Sequence, residues 1–369
     1  MGQKIIIGIT LGDTNGIGPE VVIKSLQDSR ITDLCIPIIY GSSRIIGFYR
    51  KAVADAENLN TNIINSAKDF HPKRINIINC IPDSLQIDPG QPTPESANAA
   101  LLSLERATDD LKEGLLDAVV TAPFNKSNMA DASFQFKGHT EYLANKFEAE
   151  HSLMFLCSEK MRVGLVTTHT SIADVSKEIT IDKIVEKLRV MNESLKRDFG
   201  VVRPQIAVLG LNPHCGDNGL LGDEEQTIIK PAIERVLAEN ILAFGPYSPD
   251  GFYGNNSYTK FDGVLAMYHD QGLIPFKLMS FDTGVNFTAG LPVVRTSPDH
   301  GTAFELVTKN EANALPMLSS IYMAIDVVKN RRSYDEMRSN VLKVRTFMHG
   351  KGTDNVEDLI GKSSEESAN

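Results

Sequence analysis

The sequence is short of several features that would settle a broad class at once. Its four cysteines (Cys35, Cys80, Cys157, Cys215) form no CxxC pair. That argues against a disulfide scaffold and for a reduced, cytoplasmic protein. No apolar run reaches the roughly 20 residues a membrane span needs. The opening "MGQKIIIGITLGD" reads as neither secretory signal nor span, and Ile6 stands where a myristoylation motif wants Ser or Thr. No basic block balances the formal net charge of −10, so neither nucleic acid nor membrane is an expected partner. Small anionic substrates stay open, because a few local cations suffice to bind them. There is no internal repeat. The glycine-rich turn near the start lacks both the GxGxxG spacing of a dinucleotide fingerprint and a P-loop lysine.

What is present is an ordinary soluble composition, 42% apolar and 23% charged, in a chain of 369 residues that is long enough for two domains. Short β-branched runs ("KIIIGIT", "CIPIIY", "INIIN", "DAVVTA", "RVGLVTT", "QIAVLGL", "GVLAMY") alternate with helical patterns. That alternation predicts an α/β fold with a largely parallel sheet flanked by helices. Thr93-Pro94-Glu95 opens one helix, which Gly114 stops; Thr180 opens another, with Gly200 just beyond. We expect a middle α/β domain over 125–261, a second domain from 1–124 with 262–350, and a polar tail over 351–369.

Several loops carry residues suited to chemistry. "TLGDTNGIGPE" leaves the first strand and is either a plain strand-to-helix turn or an anion cradle. "TAPFNKSNM" and "FKGHTEYLA" place His139 and Thr140 at a helix start, where they suit a phosphate or carboxylate, unless Thr140 is merely an N-cap. Three apolar runs end on histidines: His169, His214 and His269. Ligands of open α/β sheets bind beyond the carboxyl ends of strands, and neutral imidazoles suit zinc and related metals. Asp270 and Asp250 are candidates to join or orient them, and a closed structural site using Cys215 is an alternative. Lys277, Asn286 and Arg295 fall in a glycine-rich, loop-like segment that continues into "SPDHGTAFE", which reads as a turn before a helix.

Taken together, "GDTNGIGPE", "TAPFNK", "GHTEYLA", "LVTTHT", "LNPHCGDNG", "AMYHDQG" and "GVNFTAGLPVVRTSPDHGTA" resemble the 4-hydroxythreonine-4-phosphate dehydrogenase family of pyridoxal phosphate biosynthesis, in order from the first strand to about residue 330. The resemblance implies an isocitrate/isopropylmalate dehydrogenase-like fold, two α/β/α domains with the active site in the cleft between them. It implies NAD (or NADP) as cofactor and one divalent metal (zinc, cobalt, manganese or magnesium) on His169, His214 and His269. The substrate positions it implies are His139, Thr140, Lys277, Asn286 and Arg295, with Lys277 and His269 catalytic. A homodimer sharing the metal site is implied too. By similarity to the fold's nucleotide loop, the cofactor falls near Gly290, Pro292, Asp299, His300 and Gly301. The chain departs from the family at Thr14-Asn15, at Cys215 and at "VTKNEAN", which replace Pro-Ala, a small residue and Ala-Gly-Lys-Gly.

The implied reaction is oxidation of 4-phosphooxy-L-threonine by NAD, then decarboxylation to 3-amino-2-oxopropyl phosphate. Threonate or erythronate 4-phosphate is the alternative substrate. A sensor that has lost turnover and a metal-dependent phosphatase are the competing classes, the second poorly supplied with carboxylate ligands.

Overall fold

The β-branched runs form strands in the computed structural model, which describes residues 4–54, 56, 59–124 and 139–339. In chain order the strands are β1 (Ile5–Thr10), β2 (Cys35–Gly41), β3 (Thr61–Ile64), β4 (Ile75–Asn79), β5 (Ala118–Thr121) and β6 (Leu153–Cys157). They continue as β7 (Arg162–Leu165), β8 (Gln205–Leu209), β9 (Leu242–Tyr247), β10 (Gly263–Ala266), β11 (Val285–Ala289) and β12 (Val294–Pro298). All join one 12-stranded sheet in the order β3-β4-β2-β1-β5-β12-β11-β6-β7-β10-β8-β9. Most neighbours run parallel, as expected. The exceptions centre on β11, antiparallel to β12 and β6, and on β6, antiparallel to β7. Strand direction therefore alternates in the middle of the sheet: β6 and β12 run with β1–β5, while β11 and β7–β10 run the opposite way.

The sheet is buried on both faces, so β1, β2 and β5 read as continuous apolar runs without alternation. Phe155, Phe287, Ile7 and Ile9 are fully buried in one large cluster. Phe199 stands edge-on to both Phe155 and Phe287, locking the central strands to the helix layer.

Both expected helices start where their caps predict. Thr93 and Ser96 form a reciprocal capping box for helix Pro94–Lys112, and Gly114, with φ +73, lies just past its end. Thr180 accepts from Lys183 N to open Ile181–Arg197, with left-handed Gly200 beyond. The strands and the helices covering them belong to one compact unit, Met1–Tyr334; Asp335–Asn369 form a second unit, of which 335–339 are described and are helical. The expected polar tail 351–369 and most of "TAPFNKSNM" lie outside the described residues. No helix among the described residues is long and apolar enough to cross a membrane.

One expectation needs correction. The segment from Pro275 to Leu306 is not loop-like. Lys277 lies on helix His269–Ser280, which contains Pro275, while Asn286 and Arg295 lie on β11 and β12. The glycines and prolines that suggested a loop instead make the tight β11–β12 hairpin. Gly290 has φ +86, and a Cβ there would stand 2.3 Å from His151 O, so only glycine fits. "SPDHGTAFE" leads only into the single 3-10 turn Phe304–Leu306; the next α-helix begins at Leu315.

Candidate active site

The hairpin carries its polar residues to the carboxyl end of β5. Asn286 pairs with Ser297 across β11 and β12, and Arg295 pairs with Val119 of β5. There a cavity of about 270 Å³ is lined by Thr121, His139, Thr140, Glu141, His169, Lys277, Asn286, Arg295, Asp299, His300 and Gly301. It lies beyond the carboxyl end of β5, the side of a strand on which open α/β sheets bind ligands. All five expected substrate residues meet in it.

Arg295 is the most unusual member. It is 2% exposed, and among the described residues its donors reach hydroxyls alone: Thr121 Oγ1 at 2.7 and 3.0 Å and Thr288 Oγ1 at 3.3 Å. Among the described residues no carboxylate pairs with it. Burial pushes its guanidinium down to about 9, so it remains a cation at neutral pH. A buried, uncompensated cation is costly and is favoured only if an anion arrives to pair with it. Lys277 Nζ lies 3.5 Å from Asp299 Oδ2. Burial raises the Asp299 carboxyl, and Lys277 opposes that shift. Burial also holds the His300 imidazole below its ordinary value. Its Nδ1 lies 3.0 Å from Gly301 O, leaving Nε2 buried without a partner. Asn286 Oδ1 is likewise buried and unpartnered.

The three strand-end histidines are not gathered in one chain. His169 lines the cavity, with Glu141 at 3.9 Å. His269 opens its helix, with Nδ1 2.7 Å from Asp270 Oδ1. His214 sits in a 3-10 turn with φ +53. The Asp270 contact of His269 is of the kind that orients a metal-ligating imidazole. Among the described residues, however, no group of three or more His, Cys, Asp or Glu side chains could hold a metal. Cys215 Sγ faces the Pro246 carbonyl at 3.6 Å, so the structure adds nothing to the closed-site alternative.

Two buried residues that the sequence reading passed over shape these turns. Glu225 accepts from Leu211 N and Asn212 N at 2.7 Å each, holding the left-handed turn that carries His214. Gln271 accepts from Met267 N and donates to Gly210 O, both at 2.7 Å, tying the start of the His269 helix to the end of β8. Nothing local in Asp223-Glu224-Glu225 marks Glu225 out, and only tertiary placement reveals its role.

The first glycine-rich turn is structural. Asp13, Thr14 and Asn15 are fully buried. Asp13 N, Asn15 N, Gly16 N and Ile17 N already donate, to Pro123 O, Asp13 Oδ1, Asp13 O and Thr302 O. They have nothing left for an anion. The expected cofactor segment also separates. Asp299, His300 and Gly301 border the active-site cavity, whereas Gly290 and Pro292 line a different one with His151, Asp198 and Arg331. The reason is the hairpin: five-residue strands carry its turn about 17 Å from His300.

Residues 33–324 match the family model of the pyridoxal phosphate biosynthetic protein PdxA. A 4-hydroxythreonine-4-phosphate dehydrogenase from Bacteroides thetaiotaomicron is 46% identical over 94% of each chain. One from Sulfurihydrogenibium is 39% identical, covering 88% of this chain and 99% of its own. The crystal structure of a 4-hydroxythreonine-4-phosphate dehydrogenase from Klebsiella pneumoniae superposes with a TM-score of 0.78, 36% identity, and coverage of 89% and 99%. The α/β fold is therefore shared with solved members, and the chain belongs to the PdxA family of pyridoxal phosphate biosynthetic proteins.

Proposed function

We propose that the cavity around Arg295 binds 4-phosphooxy-L-threonine and NAD, and that the chain oxidises and decarboxylates this substrate to 3-amino-2-oxopropyl phosphate and carbon dioxide. The enzyme is a dehydrogenase acting on a CH–OH group, in pyridoxal phosphate biosynthesis. The observation that carries the substrate reading is Arg295, a buried cation with no carboxylate partner among the described residues. A phosphate or carboxylate supplies the missing charge and takes the guanidinium's remaining donors. His139 and Thr140, at the start of helix His139–Lys146, add donors from the other side of the cavity.

The chemistry divides into steps the residues can serve. The hydroxyl loses its proton as its carbon gives hydride to the nicotinamide. The carbon–carboxylate bond then breaks, its electron pair moves to the adjacent carbon, and that carbon takes a proton. Lys277 Nζ, held beside Asp299, is the proton carrier in the cavity. Asp299, His300 and Gly301 are the expected cofactor positions that border the site, and Gly290 and Pro292 stay outside it.

The histidines suit a divalent metal (zinc, cobalt, manganese or magnesium) by donor type, and His269 also by its contact with Asp270. When bound, such an ion supplies Lewis acidity that favours ionisation of the substrate hydroxyl. Because one chain does not gather His169, His214 and His269, we propose that two copies complete the site. Ile274, Leu278 and Phe281 support this: they are 57%, 83% and 71% exposed and follow His269 at helical spacing. Leu278→Glu should convert a dimer into a monomer in sedimentation and abolish turnover with it; an active monomer would refute the shared site. We also read residues 125–261 as one domain and 1–124 with 262–350 as the other, with the cavity at their junction.

The reading as a whole is tested by stoichiometry. Incubation with NAD and 4-phosphooxy-L-threonine should release one NADH and one carbon dioxide per substrate consumed. NADH without carbon dioxide would exclude the decarboxylation.

A further inference from the structure

The backbone that carries His214 is strained in a way ordinary loops are not. His214, Cys215, Gly216, Asp217, Asn218 and Gly219 all have positive φ, from +41 to +97, and four of these six have a side chain. Asp and Asn tolerate the left-handed region better than His and Cys, yet even they enter it singly and not in runs. Hydrogen bonds inside the turn close it, Gly219 N to Gly216 O at 2.9 Å and Leu221 N to Gly216 O at 3.0 Å. The clasp from outside is Glu225, which is 1% exposed. Its Oε1 accepts from Leu211 N and Asn212 N at 2.7 Å each, and its Oε2 accepts from Asn212 Nδ2 at 3.0 Å. The carboxylate also lies hard against the turn itself: a Cβ on Gly216 would stand 2.8 Å from Oε2, and one on Gly210 3.2 Å from Oε1. Glu225 opens a π-helical turn, Glu225–Ile229, a rare geometry that concentrates at functional sites.

The clasped segment also meets the helix of a second histidine. Gly210 O accepts from Gln271 Nε2 at 2.7 Å, two residues into the helix that His269 opens. Residues 210–212 are therefore pinned from both sides, by Glu225 through two backbone N–H groups and by Gln271 through a carbonyl. We propose that Glu225 is a positioning residue for the metal: it keeps the left-handed turn formed in the metal-free chain, so that His214 meets the ion already set against the His269 helix. This rests on the metal reading given above and extends it, because it assigns part of the ion's affinity to a carboxylate outside the three histidines. Without that carboxylate the turn relaxes toward conformations its side chains prefer, and the ion has to restore the strained one on binding. The expected cost is about 10- to 100-fold in metal affinity, the size found when partners behind metal ligands are removed.

The test is binding of zinc and of cobalt to metal-free enzyme, followed by calorimetry and by the visible absorption of bound cobalt. Glu225→Leu should weaken both ions about 10- to 100-fold and change the cobalt spectrum. Glu225→Gln keeps an acceptor oxygen for the two backbone N–H groups and should bind within about threefold of wild type. Asp217→Gly, added to Glu225→Leu, should recover part of the lost affinity, because glycine takes the left-handed conformation without penalty. Wild-type affinity and spectrum in Glu225→Leu would overturn the proposal. So would equal losses in the Leu and Gln variants, which would make the charge and not the held turn the source of affinity. Should Glu225→Leu fail to fold, hydrogen exchange on the wild-type enzyme decides. The Leu211 and Asn212 amides should be as protected without zinc as with it, and protection that appears only on adding zinc would overturn the proposal. A wild-type enzyme that takes up neither ion would remove the metal reading together with the inference, a result distinct from tight binding that ignores Glu225.

Discussion

Replacing Arg295 by methionine should lower kcat/KM for the phosphorylated substrate by about 100- to 1000-fold, the size of losing one partner from a buried charged pair. The same change should leave thermal stability unchanged or raise it. In the free enzyme Arg295 is a buried cation held, among the described residues, by the Thr121 and Thr288 hydroxyls, and an apolar side chain of similar length removes its desolvation penalty. The two readouts move in opposite directions only if the arginine is kept for its ligand. A variant that melts much earlier and still binds substrate would make Arg295 a structural residue instead.

The second large effect falls on Lys277. Lys277→Met should reduce kcat by about 100- to 10,000-fold, the range for losing a positioned acid or base. The KM should change only a few-fold, because Arg295, His139 and Thr140 still hold the anion. Small primary amines added to the variant should restore part of the rate. The space left beside Asp299 Oδ2, now 3.5 Å from Lys277 Nζ, retains the carboxylate to hold a cationic amine. A variant whose KM rises steeply while kcat holds would place Lys277 in binding and not in proton transfer.

How far the sequence foretold this site depends on the range of the interactions involved. Helices Pro94–Lys112 and Ile181–Arg197 were legible because their caps, Thr93 and Thr180, act within three residues. The expected strands all formed, since β-branched runs bounded by turns carry their own signal. β3, β6, β9, β11 and β12 were missed. β11 and β12 are short and separated by Gly290 and Pro292, so local composition looked like a loop until pairing with β5 and β6 ordered it. The substrate residues were recognised by resemblance, yet nothing local predicts that Arg295 ends buried against the Thr121 and Thr288 hydroxyls. Asn15 shows the same limit. In sequence it was a departure from the family pattern within a turn that read equally as structural or as an anion cradle. In the structure its amide donates to Gln91 O at 3.0 Å and accepts from Asp88 N at 3.0 Å, fastening the turn to the segment before helix Pro94–Lys112.

The central claim is that histidines on separate turns, brought together by two copies of the chain, hold a metal needed for dehydrogenation in the Arg295 cavity. The most direct measurement is NADH formation from 4-phosphooxy-L-threonine by chelator-treated enzyme, before and after adding zinc, cobalt, manganese or magnesium, with metal content determined on the same samples. The account predicts no turnover after chelation, recovery with at least one of these ions, and neither metal uptake nor recovery in His269→Ala. Full activity in metal-free enzyme, or in His269→Ala, would contradict it.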